Sequence, residues 1–208
     1  METLFEFFSF RDASVIAVVL GSILVTSSSA VVGTFTFLKK KALLGDAVAH
    51  AILPGICLAF ILSGTKNPLI LVVGAFITGW LSLVVIDYIS IKTKLKEDTA
   101  IALVLSVFFG IGILMLTRIQ HSGNAAQSGL DSFLFGNAAA LIGSDLLVFA
   151  TVSASLLFLI GLLFKEMKIL AFDPEYAKVI GLPVKGLELV LTSLTVLAVV
   201  TGIQAVGV

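Results

Sequence analysis

Asp46 and His50 stand four residues apart in an otherwise apolar run, Leu-Leu-Gly45-Asp46-Ala-Val-Ala-His50-Ala-Ile-Leu-Pro54-Gly55-Ile-Cys57. On a helix, that spacing sets the two side chains about 40° apart, on one face. A carboxylate beside an imidazole can relay a proton. The same two groups form a hard-plus-borderline donor pair suited to a divalent first-row metal. An Asp within a membrane span costs roughly 2.5–3.5 kcal/mol on insertion scales, so its presence there is a functional-site hypothesis in itself. Pro54 has no N–H to give the carbonyl of His50, which leaves an oxygen beside the imidazole as a third donor. Cys57 falls between the two in angle, almost two turns farther on. It is a weaker candidate, because a lone cysteine more commonly serves as a small packing residue. The competing reading is an internal Asp–His hydrogen bond that joins two helices, with Pro54 merely kinking the span.

Other polar groups carry less. His121 and Asp131 are weaker candidates for metal entry, against the plainer reading of a solvated loop. Gln204 is ambiguous. Thr26, Ser27, Ser28 and Ser29 are expected to hydrogen-bond between helices, and Asp87 to sit at an interface. Gly74, Gly79, Gly110 and Gly112 are expected to permit close helix packing. The sequence contains no Gly-x-x-x-x-Gly-Lys-Ser/Thr phosphate loop, no His-Glu-x-x-His zinc-protease motif and no Gly-x-Ser-x-Gly nucleophile elbow. Nothing in it supports an enzyme.

These residues need elements to hold them, and composition states what kind. The chain is 59% hydrophobic and 12% charged, with 16 phenylalanines against one tryptophan. Soluble domains carry about 25% charged residues, so the reading is an all-α polytopic membrane protein with a single transmembrane domain over residues 1–208. A net charge of zero gives no global attraction to nucleic acid. One cysteine excludes an intramolecular disulfide framework. Met1 to Glu6 lack a basic n-region and a small-residue cleavage site, so the first span is expected to serve as the targeting signal.

A spanning helix needs about 20 apolar residues, and six stretches qualify: 13–38, 43–63, 68–91, 99–117, 145–164 and 187–208. Pro68 suits a first helical turn and Asp98 an N-cap for the fourth span. Lys39, Lys40, Lys41, Lys92, Lys94 and Lys96 fall in alternate connections with Lys165, Lys168, Lys178 and Lys185; Arg11, Lys66 and Arg118 fall in the others. The positive-inside rule then sets the N-terminus outside and the lysine-rich connections in the cytoplasm.

Two connections are more than loops. Residues 118–144 form the longest outer segment, and its second half, around Asp131, reads as a short interfacial or re-entrant helix. Residues 172–185 lie inside. Asp173 as N-cap, Pro174 at the first helical position, Gly181 just past the end and Pro183 beyond make a complete start-and-stop set for a cytoplasmic helix of roughly two turns. The last span runs to Val208 with no basic stop after it, and we expect the chain to be cut short there.

Five segments resemble, in order and spacing, the permease subunits of manganese/zinc/iron ABC importers. They are Gly45 to Gly55 around Asp46 and His50, Lys96 to Ser106, Ser128 to Asn137, Phe172 to Pro183, and Val200 to Gly207. The outer segment is most like the manganese-type subgroup, and the family typically has about eight membrane helices. The resemblance implies a permease subunit of the bacterial plasma (inner) membrane that moves a divalent metal into the cytoplasm, Mn²⁺ first, with Zn²⁺ or Fe²⁺ as alternatives. It implies no permanently bound cofactor and no ATPase site of its own. The implied partners are cytoplasmic ABC ATPase subunits, a second permease chain (identical or not), an extracytoplasmic metal-binding protein and membrane lipid. Asp46 and His50 match the translocation-path motif. Asp173, Pro174, Glu175, Ala177, Gly181 and Pro183 match the ATPase-coupling segment, with Ala177 and Gly181 expected to let a partner surface approach. Ala49 stands where many relatives place Ser. The alternative is a proton-coupled secondary metal transporter using Asp46 and His50, although no clear internal repeat supports that carrier architecture.

Overall fold

In a computed structural model that describes residues 13–65, 67–121 and 143–206, the chain is a bundle of helices. In chain order they are α1 (Ala13–Leu38), α2 (Leu44–Ala51), α3 (Leu53–Ser63), α4 (Pro68–Lys92), α5 (Glu97–Gln120), α6 (Gly143–Leu162), α7 (Phe164–Phe172), α8 (Pro174–Val179) and α9 (Val184–Val206). Helices α1, α4, α5 and α9 are each long and apolar enough to cross a membrane. So is the continuous stretch Leu44–Ser63 formed by α2 and α3, while α6 with α7 makes a sixth candidate. Five of the six expected spans thus have a single candidate, and the sixth has one if α6 and α7 cross together. Beyond α6 the chain turns by 71° into α7, a short helix distinct from the span before it.

The helix ends follow local chemistry. Asn67 caps α4 by accepting a hydrogen bond from the Leu69 N–H at 3.0 Å, and Pro68 occupies the first turn as expected. Asp98 does not cap α5. That helix begins at Glu97, Lys96 is its N-cap residue without a side-chain bond, and Asp98 lies inside the first turn. There both carboxylates face the positive end of the helix dipole. Helix α1 closes with Lys41 N–H on the Thr36 carbonyl and Lys40 N–H on the Phe37 carbonyl. This is the paired bonding of a Schellman turn, and Lys40 takes the left-handed position at φ 59°.

Two cores result. Helices α2 to α5 bury Val48, Ile52, Ile56, Ala75 and Ile86 around one centre. Helices α1 and α6 to α8 bury Val32, Leu156, Ile160, Met167 and Leu170 around another. Helix α9 belongs to both: Val196, Val200 and Ile203 enter the first core, while Leu187, Leu191, Leu194 and Ala198 enter the second.

Backbone contact replaces side-chain packing where α3 meets α4. A Cβ on Gly74 would stand 2.5 Å from the Gly55 carbonyl oxygen, and one on Gly55 would strike the Gly74 carbonyl. Gly79 and Gly112 are likewise closed in, by Val196 and Leu53. Gly110 is not: nothing lies within 4 Å of where its Cβ would be, so the expectation of close packing fails at that position. The hydroxyl run in α1 also behaves differently from expectation. Thr26 and Ser27 bond back to the Ser22 and Ile23 carbonyls of their own helix, and Ser28 alone reaches another helix, at Ser153 of α6 (3.2 Å).

Candidate metal-path site and coupling segment

Helix α2 carries Asp46 in its first turn and His50 in its last. Pro54 sits in the first turn of α3, so the helical ladder is interrupted at Ile52. Ile52 itself keeps helical dihedrals, and Ile56 N–H bonds its carbonyl at 3.1 Å, so the span continues. Thr78 of α4 donates a longer hydrogen bond of 3.5 Å to the same carbonyl.

The Oδ1 of Asp46 lies 3.7 Å from Nε2 of His50. That is too long for a hydrogen bond, so the two side chains are close without being bonded to each other. The Asp46 side chain is 69% exposed and that of His50 30% exposed. Interior glue would be buried, whereas this pair opens onto the surface of the bundle. The neighbour that fixes His50 is Phe109 of α5, in an edge-to-face contact with ring centroids 5.2 Å apart and planes at 78°. The sequence had given no sign of Phe109, since its position depends on how α5 packs against α2.

The weaker candidates do not join the pair. Cys57 is fully buried, with its Sγ 3.9 Å from the Gly112 carbonyl, so its role is packing between α3 and α5. His121 ends α5 on the surface and its Nδ1 lies 2.8 Å from the Thr117 carbonyl, a local contact. Asp131, with the short outer helix expected around it, lies outside the described residues. Gln204 is buried in α9, and its Oε1 has no hydrogen-bond partner among the described residues. Among those residues no group of three or more His, Cys, Asp or Glu side chains could hold a metal.

The second expected site is built as its sequence dictates. Asp173 caps α8, accepting from the Tyr176 N–H at 2.9 Å, and Pro174 stands in the first turn. At the other end Leu182 N–H bonds the Ala177 carbonyl (3.0 Å) and Gly181 N–H the Lys178 carbonyl (3.1 Å). Gly181 is at φ 81°, a conformation that a Cβ disfavours. Pro174, Glu175, Tyr176, Val179, Ile180 and Pro183 are exposed. Ala177 is not: it is fully buried against the chain's own second core. The expectation that Ala177 and Gly181 together offer a partner a close approach is therefore corrected. Residue 177 is small because α8 must seat on the bundle beneath it, and only Gly181 remains accessible.

A lattice of ion pairs, read in the sequence only as topology signals, joins the turn before α2 to three other helices. Lys39 Nζ lies 2.6 Å from Glu188 Oε1 of α9. Lys41 Nζ lies 3.4 Å from Asp87 Oδ1 of α4 and 3.8 Å from Glu97 Oε1 of α5.

The sequence profile of the ABC 3 transport family matches residues 11–208. The manganese transport system membrane protein MntC of Bacillus subtilis (strain 168) is 48% identical over 191 residues, which cover 92% of this chain and 44% of that protein. The zinc transport system membrane protein TroC of Treponema pallidum (strain Nichols) is 42% identical over 199 residues, covering 96% of this chain and 67% of its own length. The chain thus spans under half the length of the first relative and two thirds of the second. Its fold superposes on a chain of PsaBC from Streptococcus pneumoniae in complex with Fab with a TM-score of 0.83 at 33% identity, over 98% of this chain and 71% of the other.

Proposed function

The chain belongs to the ABC 3 transport family, and from that premise we propose that it is the membrane-spanning permease of an ATP-driven importer of divalent metal, with Mn²⁺ as its first cargo. The observation that carries the reading is the placement of Asp46 and His50. They share one helix face, within reach of a common ion, and open onto the bundle surface. A carboxylate so exposed at the face of a membrane bundle is costly against lipid. It is stable where a second permease chain covers it and the two enclose a hydrated path. Mn²⁺ leads because the relative at 48% identity is named for manganese; Zn²⁺, named for the relative at 42%, is the next candidate.

ATP is hydrolysed by partner subunits that dock on the segment Asp173–Pro183, which faces the cytoplasm of a bacterial inner membrane, with the N-terminus outside. An extracytoplasmic binding protein delivers the metal. Exposed Tyr176, Val179 and Ile180 on a capped helix supply a defined apolar surface for that docking.

The test is ATP-dependent uptake of ⁵⁴Mn into vesicles containing the permease with its ATPase and binding protein. Asp46→Asn and His50→Ala should each abolish uptake while leaving insertion and assembly intact. Normal transport by both variants would overturn the site, and uptake that needs a proton gradient but no ATP would overturn the importer class.

A further inference from the structure

The turn between α1 and α2 is fixed on both sides of its one left-handed residue. Lys39 and Lys41 flank Lys40, whose φ of 59° is a left-handed conformation that a Cβ disfavours. Lys39 is the more confined: its side chain is 11% exposed and its ammonium sits on Glu188, itself 48% exposed. One helical turn below, the hydroxyls of Thr36 and Thr195 meet at 3.0 Å in a buried contact, so α1 and α9 are pinned at two levels. Between them lies a cavity of about 50 Å³ lined by Thr36, Lys39, Lys41, Asp87 and Glu188 among others.

What each end of this contact adjoins gives it meaning. Glu188 lies near the start of α9, just past Gly181 and Pro183. The path between has little freedom: Leu182 N–H bonds Ala177, Val184 N–H bonds Leu182, and Leu187 N–H bonds the Pro183 carbonyl. On the other side, Lys41 N–H bonds Thr36, Leu44 N–H bonds Lys41, and Asp46 follows in the first turn of α2. A polar link from the segment Asp173–Pro183 toward the Asp46–His50 face therefore runs through Glu188 and Lys39, beside the direct packing of α9 on α2.

We propose that the Lys39–Glu188 ion pair is the tie by which movement of the segment Pro174–Val179 reaches α2. Lys39 and Glu188 are positioning residues: neither touches metal, and both hold the turn that sets Asp46. The pair stays closed through the cycle, so that α9 and the start of α2 move as one body. Lys41, through Asp87 and Glu97, anchors the same turn to α4 and α5. The inference rests on the importer reading above and deepens it.

The experiment uses the full transporter, with ATPase and binding protein, in vesicles, and reads metal uptake and ATP hydrolysis on the same sample. Couplings between sites typically amount to 5–150-fold, so Glu188→Gln should lower metal imported per ATP by about tenfold while the ATPase stays bound and active. Unchanged uptake per ATP in Glu188→Gln would overturn the tie, whereas failure of the unmodified transporter to import would overturn the importer reading instead. A second variant removes any doubt from misfolding. Lys39→Cys with Glu188→Cys, joined by a short thiol cross-linker that a reductant cleaves, should regain uptake per ATP when joined and lose it again on cleavage. Equal uptake per ATP in the joined and cleaved states of one sample would likewise overturn the proposal.

Discussion

Gly55 and Gly74 meet with no side chain between them, and this contact sets how near α3 can lie to α4. Gly55→Ala must push two helices apart or bend one, an overpacking cost of about 1–3 kcal/mol. Gly110, on α5, faces open space. Gly110→Ala should be neutral or stabilising by about 0.5–1 kcal/mol, because alanine gives up less backbone freedom in a helix. Thermal unfolding in detergent separates them: a lower midpoint for the first and an equal or higher one for the second is expected. The sequence offered both positions as glycines in apolar helices and gave no means of telling them apart. Whether a glycine is needed depends on what faces it, which is a tertiary fact.

At the scale of elements, most local signals are legible in the sequence, Asp98 excepted, and orientation is less so. Pro68, Asn67, Asp173 and Gly181 act through their own backbone neighbourhood, so α4 and α8 start and stop close to where composition suggested. The α6–α7 turn and the burial of Ala177 depend on distant partners and were not legible in any local window. The cap is directly testable. Asp173→Ala removes the acceptor for the Tyr176 N–H and should cost about 0.5–2 kcal/mol of local helix stability. Amide exchange in residues 175–179 should accelerate accordingly, with α9 unaffected. Gly181→Phe adds a side chain at φ 81° on the accessible side of the same segment. It should weaken ATPase association or uncouple hydrolysis from transport, as read by pull-down and by uptake per ATP. Wild-type values in both assays would remove this segment as the docking element.

For the whole molecule, the donor count matters more than any single distance. Asp46 and His50 supply two side-chain donors on an open face, with no third His, Cys, Asp or Glu beside them among the described residues. Mn²⁺ favours about six oxygen-type ligands, and conduction requires release as well as capture. Under the proposed importer function, the chain alone should therefore bind metal weakly, and assembly with a second permease chain should strengthen binding by completing the shell. Equilibrium binding on purified permease before and after assembly checks this; nanomolar affinity without a partner would contradict it. The pair itself was legible in the sequence because a charged group in an apolar run is conspicuous. Its exposure, and its support by Phe109, were not, since both follow from how α5 lies against α2.

Helix α9 closes both cores, and it is the last of the described helices to leave the ribosome. At 5–20 residues per second, synthesis of the stretch from α1 to α9 takes on the order of 10 s. Until α9 emerges, each half already made lacks one wall: Ile52 and Ile86 on one side, Leu156 and Leu170 on the other. Among the described helices, the seating of α9 is then a late step that closes both halves together. Slow delivery of α9 would leave both halves open to quality-control proteases, even though every earlier span had inserted correctly.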